Sequence, residues 1–324
     1  MSFDNRFSLY KLEVFCCVVE ASGVGRAAER LFVTQPVVSA HLRSLQEHLG
    51  VRLFEREGRG VRLTKAGSAA YDWAREMLSR THQISRELED LEAGLKESLI
   101  VVAGPSLAGY VLPPIVCRLR VQHPDIRIAL RVAEPAQALT AVRSGDADVA
   151  VVMCLSPADL DGLDVESIGR EELALVAQPD HPRAGSMISP GEMGDLDLIT
   201  SCSDQPTEDL LAGALAAVGY PMPVATTDLG HPEAIKLAVR EGCGAALLMR
   251  SAVDRDLAVG DLCEITLSHT PTVPVYATRR AGRERSWLHV DFVEEALARR
   301  THSAPGAGPI EQVDEGTAPL PSAA

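Results

Sequence analysis

No stretch of this 324-residue sequence is apolar for the roughly 18 residues that a membrane-spanning helix needs, so no membrane partner is expected. Its opening, MSFDNRFSLYKLEVFCC, has no basic segment leading into an apolar run and a small-residue cleavage site. Secretion is therefore not expected, and the chain reads as cytoplasmic. Seven cysteines lie scattered, and the only close pair is the adjacent Cys16 and Cys17. That pattern suits free thiols in a reducing compartment, not a disulfide framework. Nine histidines form no HxxxH or Cys/His cluster, so no metal is expected, and no cofactor either. Gly242-x-Gly244 is not a dinucleotide fingerprint; it reads as a tight turn into a strand. Net positive charge is also lacking, since the formal charge is −14.

The charge is unevenly spread. Residues 1–65 carry ten Lys and Arg against seven Asp and Glu, so that segment is +3 and the remainder −17. A basic end on an acidic chain points to nucleic-acid contact at that end only. The length suggests about two to three domains.

Residues 8–21 place Leu9, Leu12, Phe15 and Val19 at helical spacing. A short second helix is expected over about 25–31. Thr34 can cap a third helix, with Pro36 in its first turn, where the missing N–H costs nothing. Val38, Leu42, Leu45 and Leu49 form its inward face, and Gly50 ends it. Two short alternating runs around Glu57-Gly58-Arg59-Gly60 predict a hairpin. From Ala66 to about Lys96 the pattern is continuously helical. Ala74, Met77, Thr81, Ile84, Leu88, Leu91 and Leu95 make a narrow seam suited to self-pairing. Beyond it, predicted strands (99–103, 126–132, 149–153, 173–177, 198–200, 224–227, 245–249, 273–277) alternate with helical patterns at about 109–122, 135–144, 207–218, 232–241 and 284–300. This predicts an α/β fold with mostly parallel sheets in two lobes. The Pro/Gly/Ala-rich stretch 303–324 reads as a disordered tail.

The third helix turns Gln35, Ser39 and Arg43 away from its apolar face. Gln can pair with adenine, Arg with guanine and Ser with either, so this face suits the major groove of double-stranded DNA. Arg52, Arg56, Arg59 and Arg62 around the hairpin can reach flanking phosphates. The alternative is a small helical subdomain with a solvated basic face.

The run Ala27-Ala28-x-x-Leu31-x-Val33-Thr34-Gln35-Pro36-x-Val38-Ser39-x-x-Leu42-x-x-Leu45-x-x-x-Leu49-Gly50-x-x-Leu53-Phe54-x-Arg56, then Leu63-Thr64-x-x-Gly67, resembles the signature of LysR-type transcriptional regulators. The resemblance covers about residues 1–300. It departs at Ser22-Gly23-Val24-Gly25, where the family often has Gly-Ser-Phe-Thr, and at Gln46-Glu47. The resemblance implies an N-terminal all-α winged helix–turn–helix over 1–65 and a linker helix over 66–96. It also implies an effector domain over 97–302, with two α/β lobes resembling a periplasmic-binding-protein fold. Lobe I would comprise about 97–170 and 273–302, and lobe II about 171–272. It further implies a homo-oligomer, a dimer through the linker helix and a tetramer beyond it, with RNA polymerase as a partner. The DNA-binding set would be Arg26, Thr34, Gln35, Pro36, Ser39, Arg43 and the four hairpin arginines.

Ser106 follows a predicted strand and precedes a helix, a junction whose backbone N–H groups suit a carboxylate. Thr200-Ser201-Cys202-Ser203 follows another strand, and ligands of open α/β sheets sit outside such strand ends. The resemblance places a small-molecule effector between the lobes, at Ser106, Ser201, Cys202, Ser203, Thr227 and His231. Cys202 lies where peroxide-sensing relatives carry a cysteine pair, but no second cysteine is near it in sequence, so a small buried thiol is expected. Two other classes compete. Gly104-Pro105-Ser106-Leu107-Ala108-Gly109 nearly matches the nucleophile elbow of acyl hydrolases, for which His231 or His269 could be nominated. A solute-binding protein would account for the two lobes but not for residues 1–96.

Overall fold

The protein is described from a computed structural model, which covers residues 7–57, 60–155, 160, 162–200, 205–282 and 285–303. Three helices open the chain: α1 (Leu9–Glu20), α2 (Val24–Arg30) and α3 (Gln35–Leu49). Leu12, Phe15, Val38, Leu42 and Leu45, spaced three or four apart within their helices, all turn inward around Ala27, Ala28 and Leu53. The hairpin β1 (Phe54–Glu57) and β2 (Gly60–Leu63) pairs antiparallel, with Phe54 opposite Leu63. Phe15 meets Phe54 and Tyr71 edge-on, at centroid distances of 5.5 and 6.3 Å. At Gly67 a Cβ would lie 2.0 Å from the Leu53 carbonyl oxygen, so only glycine lets the next helix start against the hairpin base.

That helix, α4 (Lys65–Glu92), has 28 residues and is about 42 Å long. Thr64 caps it, its hydroxyl accepting from the Gly67 N–H at 2.9 Å and donating to the Arg52 carbonyl at 2.6 Å. The expected end near Lys96 is corrected to Glu92. Gly94 takes φ +67 and the Leu95 N–H turns back to the Asp90 carbonyl at 2.9 Å, so Leu95 lies in the closing turn. The apolar seam divides. Ala74 is buried in the core of the first three helices, whereas Ile84, Leu88 and Leu91 are 56%, 58% and 71% exposed. The far half of α4 is fastened to the following domain. Arg86 donates to the Gly145 carbonyl at 3.1 Å and pairs with Asp148 at 3.3 Å. Gly145, at φ +82, sits so close that a Cβ would meet the Ser79 hydroxyl at 1.9 Å.

The remaining strands are β3 (Glu97–Ala103), β4 (Ile126–Val132), β5 (Val149–Met153), β6 (Leu163–Ala177), β7 (Leu198–Thr200), β8 (Ala225–Asp228), β9 (Ala245–Met249), β10 (Cys263–Glu264) and β11 (Thr272–Arg280). They run in the order β4-β3-β5-β11-β6-β9-β7-β8, with β10 beside β6. Helices α5 (Pro113–Gln122), α6 (Pro135–Ser144), α7 (Gln205–Ala216), α8 (Pro232–Arg240), α9 (Arg250–Val259) and α10 (Trp287–Ser303) connect them. The expectation of mostly parallel sheets needs correction. Pairs β3/β4, β3/β5, β7/β8 and β7/β9 are parallel, but β6 runs antiparallel to β11, β9 and β10, and β11 antiparallel to β5. The reason is topological: the chain leaves the first lobe along β6 and returns along β11, so these strands must oppose each other. Strand β6 pairs with β11 up to Glu172↔Thr272, then with β9 from Leu173↔Met249. It begins at Leu163, well before the expected Leu173, and neither α9 nor β10 is among the expected elements. Helix α10 includes Ser303; the rest of the expected tail lies outside the described residues.

Candidate nucleic-acid interface and ligand cleft

On α3 the buried side chains are Val38, Leu42 and Leu45, while Thr34, Gln35, Pro36, Ser39 and Arg43 are exposed. The structure thus leaves those five residues open to solvent, from the cap to the middle of the helix. Thr34 has the extended backbone of a cap, φ −85 and ψ 151, but its side chain makes no capping bond; the expected hydroxyl cap is absent. Its carbonyl instead accepts from the Val37 and Val38 N–H groups at 3.0 and 3.2 Å. Gly25 on α2 faces Gln35: a Cβ there would come within 3.1 Å of the Gln35 amide nitrogen. Arg26 folds back on the preceding turn, donating to the Ser22 carbonyl at 2.6 Å and to the Ala21 carbonyl. Phe32, in the turn before α3, takes φ +55 and is 96% exposed, a feature with no signal in the hydrophobic pattern.

Around the hairpin, Arg52 is exposed. Arg62 is exposed as well and pairs across the strands with Glu55 at 2.5 Å, in the register that places the two opposite each other. Arg56 lies on β1, but its side chain, like the whole of Arg59, is outside the described residues.

The second site is a cleft of about 110 Å³ where the two lobes meet. Gly104, Pro105, Ser106 and Leu107 wall it from the end of β3, and Glu134 and Pro135 from the start of α6. From the other lobe come Thr207, Leu210 and Leu211 of α7, then Gly230, Pro232 and Leu247 to Met249. Leu173 and Val273, where β6 and β11 cross, form the floor, and Met153 lies beside them. The lining is chiefly apolar, with Ser106, Thr207 and Glu134 as its polar side chains. Ser106 leads into a short π-helical turn, Leu107–Val111, and only after Leu112 does α5 begin; the single helix expected over 109–122 is broken there. Thr227 lies exposed on the edge strand β8 and does not line the cleft. His231 caps α8, its Nδ1 accepting from the Glu233 N–H at 3.2 Å, and its ring is outside the lining. Ser201, Cys202 and Ser203 lie outside the described residues. A larger cavity of about 500 Å³ lies elsewhere, under α4, among Arg86, Asp148, Arg279 and His289. Arg86 there pairs with Asp148 at 3.3 Å, and the His289 imidazole lies 3.5 Å from Glu166.

Residues 92–300 match the LysR substrate binding domain, and residues 9–68 match the bacterial regulatory helix-turn-helix proteins of the lysR family. The chain belongs to the LysR family of transcriptional regulators. It is 31% identical over 267 residues to an uncharacterized HTH-type transcriptional regulator of Mycobacterium bovis, covering 79% of this chain and 84% of that one. It is 28% identical over 305 residues to a protein of Synechocystis sp. named "Probable RuBisCO transcriptional regulator", covering 91% of this chain and 87% of the relative. Among solved structures, a full-length OxyR variant from Pseudomonas aeruginosa superposes with a TM-score of 0.61 at 24% identity, covering 90% of this chain and 94% of that one, which shows the shared fold. LysR regulators pair a helix–turn–helix with an effector-binding domain and act as transcription factors, not enzymes. The histidines that a hydrolase reading would nominate are engaged otherwise: His231 caps α8, and His269 Nδ1 lies 3.3 Å from the Ser268 hydroxyl. No described helix is long and apolar enough to cross a membrane.

Proposed function

We propose that this LysR regulator reads an operator with the exposed start of α3, placing Gln35, Ser39 and Arg43 at base edges in the major groove. Thr34, Pro36 and Arg26 flank that contact, and Arg52, Arg56, Arg59 and Arg62 supply phosphate contacts. The observation that carries this is the division of α3 into a buried Val38–Leu42–Leu45 face and an exposed Gln35–Ser39–Arg43 face. In the same proposal two chains pair along the exposed seam of Met77, Ile84, Leu88 and Leu91, presenting two recognition helices to two half-sites, and two such dimers form a tetramer. RNA polymerase is the downstream partner, and the site of action is the cytoplasm.

The effector occupies the cleft between the lobes. A volume of about 110 Å³ equals that of about four waters, so the described lining fits a small molecule or one portion of a larger one. Leu173, Leu210, Leu248 and Val273 would hold its apolar part, and Ser106 with the adjacent backbone N–H groups would take a carboxylate. Ser201, Cys202 and Ser203 complete the proposed set from the second lobe; Thr227 and His231, which stand outside the lining, drop out of it.

Selection of duplexes from a random library by the full-length protein tests the operator reading. A two-fold related consensus is expected. Gln35→Ala should weaken the selected site by about 1–3 kcal/mol and leave non-specific binding unchanged. Arg52→Ala should weaken all duplexes alike and lower the salt slope by about 0.9. No consensus, or wild-type binding by both variants, would overturn the assignment.

A further inference from the structure

One polar network spans the two lobes outside the effector cleft. Its centre is Lys236 on α8, whose side chain is only 7% exposed. An ammonium has three N–H donors, and here each has a partner. Lys236 donates to the Ala252 carbonyl at 3.0 Å, pairs with Asp256 at 3.0 Å and pairs with Glu233 at 2.7 Å. Arg240 adds a second cation to Asp256 and lies 3.7 Å from Asp261. These contacts tie α8 to α9 and all belong to the second lobe.

The first lobe contributes one residue. Tyr110, on the π-helical turn that follows Ser106, donates its hydroxyl to the same Glu233 oxygen that receives Lys236. Its ring covers the ammonium at 5.1 Å, within cation–π range. The turn is seated as well as bonded: Leu107 and Ala108 pack in one apolar cluster with Ile235, Ala252 and Val253 of the second lobe. Separating the lobes would break a hydrogen bond to a carboxylate and uncover a buried cation at once. Both contacts depend on a single side chain, and neither Tyr110, Glu233 nor Lys236 lines the cleft.

We propose that Tyr110 and Glu233 form a latch between the lobes, which holds the cleft in the arrangement described here and sets how readily it opens. Tyr110 is thus a positioning residue that acts through Glu233 and Lys236. Its influence on the effector response rests on the cleft being the effector site; the latch itself is a property of the protein without ligand, and its test needs none. A ligand shifts lobe opening only by its differential affinity for the two arrangements, so a latch that biases them sets the ligand concentration needed.

Two exposed cysteines give a direct readout, Cys117 on α5 in the first lobe and Cys243 before β9 in the second. Cys16 and Cys17 are buried, and burial pushes the Cys16 thiol up to about 12, so neither takes a label readily. With Cys154, Cys202 and Cys263 replaced by serine, nitroxides at Cys117 and Cys243 report the lobe separation by pulsed electron paramagnetic resonance. Excess unlabelled chain suppresses signals between subunits. Tyr110→Phe keeps the ring and loses only the hydroxyl; Glu233→Gln keeps the shape and loses the charge. Both should add a longer-distance population in full-length, ligand-free protein, while Lys96→Ala, which breaks an ion pair between the segment before β3 and the turn before β4, should not. Circular dichroism establishes that each variant is folded. Wild-type distance distributions in both variants would overturn the latch, and a change in Glu233→Gln alone would remove Tyr110 from it.

Discussion

The proposed reading face of α3 lies between Gln35 and Arg43 on one helix, whereas the candidate ligand cleft gathers residues from Gly104 to Val273. The first surface is convex and polar, and a single turn-to-turn repeat builds it. The second is concave and mainly apolar, and it exists only when strand ends from two lobes come together. Damage to a helix face is therefore local, while damage to the cleft can arise at any of several distant segments. The two surfaces are joined by α4, whose near half shares the first core through Ala74 and whose far half rests on Gly145.

The largest expected effect lies on the joining helix. Leu88→Glu with Leu91→Glu would bury charges in the proposed seam, so the chains should separate. Losing the second recognition helix should lower operator affinity by about 10²–10⁴-fold, through lost effective concentration. Sedimentation should show smaller particles, and an unchanged size would break the seam. Next in size is the core beneath the reading face. Leu45→Ala should cost the first domain about 2–5 kcal/mol, seen as an earlier unfolding step by calorimetry. If the melting of the effector domain shifts equally, the two regions are one cooperative unit and the comparison fails.

A smaller effect belongs to the cleft. Ser106→Ala removes one hydrogen bond, which should weaken effector binding by about 0.5–1.5 kcal/mol and leave effector-free DNA binding intact. Calorimetry with an identified effector measures it, and wild-type affinity would place the ligand elsewhere. The smallest effect is a pH dependence at His289, buried on α10 beside Glu166. Burial pushes its pKa below the ordinary 6.5, against the pull of the Glu166 carboxylate. The unfolded chain then takes up a proton before the folded one does, so stability present above about 6.5 is lost as pH falls through the folded value. Urea midpoints from about pH 8 to about pH 5 should decline less in His289→Gln than in wild type.

The helix–turn–helix was legible because one period governs both its packing and its exposed residues: Val38, Leu42 and Leu45 are buried, and what lies between them is not. The seam of α4 read one turn too long because Leu95 keeps the spacing after the backbone has already turned at Gly94. The first half of β6 carries no strand signal in the sequence, because LDVESIGREE places acids on a surface-facing strand and its partner β11 is about a hundred residues away. Helix α9 mixes four charged residues among its apolar ones, and it buries Asp256 to meet Lys236. No periodicity marks Lys236 as interior, since a lysine on an amphipathic helix reads as solvated until Tyr110 is brought over it. Local spacing thus reveals surfaces made by one element, while pairings between distant segments emerge only from the assembled fold.

The paired crossing of β6 and β11 has a consequence for how such a protein can be rebuilt. Glu172 and Thr272 stand opposite each other in one ladder, so the intervening chain leaves and re-enters lobe I at neighbouring points. Lobe II is thereby a cassette inserted between two adjacent strand positions. A lobe of different ligand preference could be spliced in at those two points without re-routing the rest of the chain. The lobe II wall of the cleft can accordingly be exchanged in one contiguous block, while the lobe I wall around Ser106 and Glu134 stays in place.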